Sequence, residues 1–282
     1  MLEWLMFAET YDTKSVILAL AFTLIAGIST GIGSLIALFA KKTNTRILAV
    51  ALGFSAGVMI YVSFIEIFFQ AKDALTANLG VKAGSWVTVA SFFGGMLFIA
   101  LIDRILPDKG NPHEVLTMPG TDEAKASSEI KNGRLMRVGV LTALAIAIHN
   151  FPEGIATFLS ALTYPALAVG VTVAIALHNI PEGISVYIPI YYATGNRKKA
   201  FMYSFLSGLS EPIGALVGYL ILRPFLSETL YGILFAGVAG IMVFISLDEL
   251  LPSAREYGET HLSIYGLVSG MVIMAISLLL FL

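Results

Sequence analysis

The chain has 282 residues, 57% of them hydrophobic and only 13% charged, with a mean hydropathy of +0.85. A soluble domain of this size carries about 25% charged residues, so this much apolar surface exceeds what one globule can bury and the bilayer must take the rest. A net charge of −2 with no basic stripe excludes a nucleic-acid partner, and the absence of cysteine excludes disulfides, thiolate ligands and thiol catalysis.

The first residues, MLEWLMFAETYDTK, place acids before the only lysine. They lack the basic start and small-residue cleavage site of a secretory signal, so the first apolar stretch is expected to stay as a span. A helix crossing the hydrocarbon needs about 20 apolar residues. Such stretches fall at 15–40, 46–70, 84–106, 138–161, 165–192, 200–222, 229–251 and 262–282. They predict an all-α integral membrane protein of eight transmembrane helices, forming one transporter-like domain over 1–282. The segment 107–137 is polar, punctuated by Pro and Gly and mixed in charge, and reads as a flexible loop between spans three and four. Of the 17 Lys and Arg residues, 13 lie in the loops after spans one, three, five and seven. The positive-inside bias therefore places the long loop in the cytoplasm and both termini outside. Gly27/Gly31, Gly53/Gly57, Gly214/Gly218 and Gly266/Gly270 each set two glycines on one helix face, which favours close helix packing inside one protomer. A homodimer seam is the other use of such a face.

Spans four and five carry a near repeat. Residues 145–155 read AIAIHNFPEGI and residues 174–184 read AIALHNIPEGI, identical at 9 of 11 positions. Consecutive spans run antiparallel, so a direct repeat implies a two-fold axis in the membrane plane, a common transporter design with its site at the bilayer midplane. His149 and Glu153 are four residues apart and share one helix face, with Asn150 one step round; His178, Asn179 and Glu182 copy them. Pro152 and Pro181 lack an amide hydrogen and release the carbonyls of Ile148 and Leu177, which a hydrated cavity or an ion could satisfy. Each glutamate costs about 2.5–3.5 kcal/mol to insert into the bilayer. Mutual pairing of buried polar groups offsets part of that, and a divalent cation offsets more. Span six adds Glu211 within SGLSEPIGA, at a similar depth. Three glutamates bring a charge of about −3 and two divalent ions about +4, so a two-ion site is electrostatically plausible. Imidazole beside carboxylate and amide oxygen favours a transition metal over calcium or magnesium, which prefer all-oxygen sites.

Further acids lie on the approaches. Glu66 is expected near the outer end of span two, with Asp103 closing span three and Asp248 and Glu249 closing span seven on the cytoplasmic side. Carboxylates at a helix C-terminus oppose its dipole, which suggests use, while the alternative is that interfacial acids are cheap and merely solvated. His113 and His261 read as ordinary surface residues.

HNFPEG in span four, HNIPEG in span five and SEPIG in span six make the sequence resemble the ZIP family, the Zrt- and Irt-like metal transporters, and its bacterial branch in particular. The resemblance extends to the helix count, the outward termini and the long loop. It implies a binuclear centre, with one ion among His149, Glu153, His178 and Glu182, and a second on Asn150, Asn179 and Glu211, bridged by Glu153 and Glu182. It also implies uptake toward the cytoplasm, of zinc first and of iron, manganese, cobalt or cadmium besides, across the inner membrane of a bacterium. The metal is then cargo, and no cofactor is expected. A histidine-rich long loop, known in some members, is missing here. An intramembrane metallohydrolase is a rival reading, but HExxH is absent and no spare general base stands beside the ligands. An exporter using the same site is the other.

Overall fold

The computed structural model describes residues 12–39, 45–105, 127–163, 165–222, 225, 227–257 and 260–280, and among them the secondary structure is helical throughout. Eight helices are long and apolar enough to cross a membrane: Thr13–Phe39, Ala49–Leu79, Val81–Ile102, Leu135–Thr163, Ala168–Thr194, Arg197–Leu222, Glu228–Arg255 and His261–Leu280. They match the eight expected spans in order. The helix carrying span four starts at Ser127, inside the segment read as loop. Its first residues include Glu129, Lys131, Arg134 and Arg137, which are good helix formers despite their polarity. Hydropathy marks where apolar cover ends, not where the backbone ladder ends. The part of the expected loop before Ser127, with His113, lies outside the described residues, as do residues 1–11.

Spans two and seven run further than hydropathy suggested, and each contains one wider turn. Span two passes from Thr45–Val62 through a π-helical turn, Ser63–Ile67, into Phe68–Leu79. Span seven passes from Glu228–Ile245 through Ser246–Leu250 into Leu251–Tyr257. A π-turn inserts a residue without breaking the helix and is frequent at functional sites. Glu66 sits in the first, and Asp248 and Glu249 sit in the second.

Span one packs against spans five and six, and span four packs against the same two. Span eight lies along span two, and span three along span seven. Spans two and five, and four and seven, join these groups. The glycine pairs are consumed in these contacts, as the packing reading expected. A Cβ on Gly53 or Gly57 would lie 2.2 or 2.0 Å from the carbonyl oxygens of Ser263 and Leu267 in span eight. Gly266 and Gly270 meet the backbone of Val50 and Phe54 in return, and Gly27 meets that of Gly208. Lipid offers no hydrophobic drive between helices, so this backbone contact supplies dispersion that larger side chains would prevent. Large apolar side chains such as Ile17, Trp86, Leu97 and Leu279 face outward, while the motif histidines, asparagines and glutamates lie inside.

Candidate metal centre

Spans four, five and six bring all seven motif residues into the interior, where none is more than 3% exposed. The two repeats cross-pair. His149 Nε2 lies 3.3 Å from Glu182 Oε2, and His178 Nε2 lies 3.0 Å from Glu153 Oε1, the latter off the direction that a hydrogen bond needs. Both are imidazole–carboxylate ion-pair separations. Among the described residues, no three His, Asp or Glu side chains gather round a common point. The imidazoles and carboxylates meet in pairs.

Beside the pairs, Asn179 Nδ2 donates to Glu211 Oε2 at 2.9 Å and to the Ala26 carbonyl at 3.0 Å. Several interior atoms have no hydrogen-bond partner: Nδ1 of both histidines, both side-chain polar atoms of Asn150, Oδ1 of Asn179, Oε2 of Glu153, and Oε1 of Glu182 and Glu211. A buried polar atom left unsatisfied costs about 1–3 kcal/mol, so a concentration of them in one place demands compensation. The donor set is imidazole nitrogen, carboxylate oxygen and amide oxygen, which suits zinc and similar transition metals.

Backbone proximity makes this crowding feasible. A Cβ on Gly154 would stand 1.9 Å from the Glu211 carbonyl oxygen, and one on Gly183 1.9 Å from that of Thr30. The helices continue through Pro152, Pro181 and Pro212. Next to one of the carbonyls released by proline, the His178 carbonyl accepts from Ser55 Oγ of span two at 3.2 Å.

The approach acids fall differently from expectation. Glu66 is well inside its span rather than near an end, because the helix runs on to Leu79; it is partly buried and accepts from Gln70 Nε2. Glu249 is 5% exposed. Neither it nor Asp248 closes a helix, since Leu251–Tyr257 follows, so the dipole argument does not apply to them. Asp103 does fall in the last turn of Val81–Ile105, and its side chain lies outside the described residues. His261 is exposed, stacked on Tyr265.

A narrow cleft is lined by Glu66, Gln70, Glu153, Thr157, Ser160 and Met242 among others. Gln70, Thr157, Ser160 and Ser55 carry no motif. Only their polarity inside apolar spans singled them out, and that signal is too common to have found them.

The family model for the ZIP zinc transporter matches residues 108–278. The chain is 60% identical over 279 residues to the zinc transporter ZupT of Clostridium perfringens, covering 96% of this chain and 98% of that one. It is 63% identical to the ZupT of Lysinibacillus sphaericus, covering 94% and 98%. To that of Nitratidesulfovibrio vulgaris it is 61% identical, covering 96% and 99%. Identity of this extent reaches both ends of the fold, and the chain belongs to the ZIP family of zinc transporters.

Proposed function

We propose that the protein carries zinc across the cell membrane into the cytoplasm, through a binuclear centre built on His149, Asn150, Glu153, His178, Asn179, Glu182 and Glu211. The crossed contacts His149–Glu182 and His178–Glu153 carry this reading, because each repeat completes the other's ligand pair. Imidazole and carboxylate from both repeats take the first ion. Asn150, Asn179 and Glu211 take the second, and Glu153 and Glu182 bridge. Iron, manganese, cobalt and cadmium are the further cargo this donor set admits. A ZIP transporter needs no catalytic base, and the hydrolase reading has no remaining support.

The site is assigned to the bilayer midplane, on a two-fold axis that relates the halves of the fold. Reciprocal contacts support that axis. Gly33 approaches the Ile180 carbonyl, and Gly214 approaches that of Phe151, the same motif position in the other repeat. Gly183 approaches Thr30, and Gly154 approaches Glu211. The relation puts Thr30 of span one opposite Glu211, so the axis sets a neutral hydroxyl against a carboxylate. The cationic loops support outward termini and a cytoplasmic 107–137 segment in a bacterial inner membrane. Glu66 belongs to the outer approach; Asp103, Asp248 and Glu249 belong to the inner one. With the glycine pairs used inside the protomer, a homodimer would use the exposed faces.

The test is zinc uptake by cells expressing Glu153→Ala or Glu182→Ala at wild-type membrane levels. Uptake is expected to fall to background in both. Near wild-type uptake in either would remove the bridging role and the binuclear centre with it.

A further inference from the structure

The cleft beside Glu153 is apolar on its open surface, and polar side chains stand among the residues that line it. Glu153, Thr157 and Ser160 are spaced four and three residues apart, so they form a stripe along one face of span four. All three line the cleft. Thr157 Oγ1 donates to the Glu153 carbonyl at 2.9 Å, whereas Ser160 Oγ is 2% exposed with no partner. Glu66 and Gln70 of span two line the same cleft. In the proposed orientation spans two and four both run outward, so Thr157 and Ser160 lie on the outer side of Glu153, and Gln70 on the outer side of Glu66.

Gln70 is held at both ends of its amide. Its Nε2 donates to Glu66 Oε1, and its Oε1 accepts from the Tyr231 hydroxyl of span seven at 3.0 Å. The carboxylate accepts only, so it dictates which way the amide turns, and the tyrosine must then donate. Tyr231 is a firm anchor: it is 4% exposed and its ring packs, tilted, against Phe235 with centroids 4.1 Å apart. Glu66 itself sits in the π-turn, a form frequent at functional sites. The bonds through Gln70 to span seven hold its carboxylate in place.

We propose that Gln70 and Tyr231 are positioning residues that hold Glu66 as the receiving carboxylate for an incoming divalent cation, in the cleft that Glu153 also lines. Glu66 makes the first charged contact, and Glu153 is the next carboxylate along the cleft. The proposal rests on the transport reading above, since it treats Glu153 as the destination.

The experiment measures initial zinc uptake into proteoliposomes over a range of zinc concentrations, for wild type, Glu66→Gln, Gln70→Leu and Tyr231→Phe. A charge that steers an ion acts on capture, so Glu66→Gln is expected to raise KM about tenfold while the maximal rate changes far less. Gln70→Leu should move KM the same way by about threefold to fivefold, and Tyr231→Phe, which keeps the ring, by about twofold. A structural role alone would lower the maximal rate and leave KM in place. KM within experimental error of wild type in both Glu66→Gln and Gln70→Leu overturns the proposal. A KM rise in Glu66→Gln with none in Gln70→Leu overturns the positioning role. Zinc content of the purified proteins, read by equilibrium dialysis, separates this from the central site. His178→Ala should lose zinc there, whereas Glu66→Gln should retain it. Full zinc retention by His178→Ala would instead remove the central assignment, and a raised KM in Glu66→Gln would still support the capture role.

Discussion

His178 and Asn179 are adjacent in sequence and face different chemistry. His178 Nε2 meets the Glu153 carboxylate, while the Asn179 amide donates to Glu211 and to the Ala26 carbonyl. Imidazole is the softer ligand, and the Asn179–Glu211 side is rich in oxygen. The two positions should therefore answer differently to substitution. His178→Ala is expected to weaken zinc binding severely, by about 10-fold or more, as removal of a direct ligand costs at least what an outer-shell change does. Asn179→Asp adds a charge on the oxygen-rich side and should raise the proportion of manganese bound while zinc still occupies the first position. Competition between zinc and manganese on each purified variant checks this. Parallel shifts of both metals in both variants would mean the positions are not chemically distinct.

At the scale of the element, glycine decides how near the helices come. Gly154 in span four and Gly94 in span three are both helical, so replacing either by Ala gains up to about 1 kcal/mol of helix propensity. At Gly94 nothing lies within 4 Å of the added Cβ, and that gain should survive. At Gly154 the Cβ would stand 1.9 Å from the Glu211 carbonyl oxygen, a backbone atom that cannot swing aside. Overpacking of this kind costs about 1–3 kcal/mol, so the clash outweighs the propensity gain. Thermal unfolding in detergent should show Gly154→Ala destabilised and Gly94→Ala unchanged or more stable. Equal stability of the two would mean that spans four and six do not need their close approach. The π-turns belong to the same scale. Helix continues beyond both of them, so Glu66 and Glu249 lie inside long helices, where a simple reading of apolar stretches had left them near the ends.

For the whole molecule, orientation is the open quantity that charge predicts, and the absence of cysteine makes it directly measurable. A single cysteine at Ala126 should react with an impermeant thiol reagent only after the cytoplasmic side is exposed, and one at His261 should react from outside in intact cells. The reverse pattern would exchange the outer and inner approaches assigned to Glu66 and Glu249. The eight spans and the seven motif residues were legible in the amino-acid order, because helix length is dictated by hydrocarbon thickness and i, i+4 spacing puts His149 with Glu153 on one face. Sequence spacing could not decide that each histidine meets the glutamate of the other repeat, since that depends on the crossing of spans four and five. Nor could it decide where polar helices stop, because Ser127 and Leu79 are set by continued hydrogen bonding rather than by apolar cover. The chain of Glu66, Gln70 and Tyr231 joins residues 66 and 231 through a contact between spans two and seven. Only tertiary packing, which brings distant backbones together at glycine surfaces, could create it.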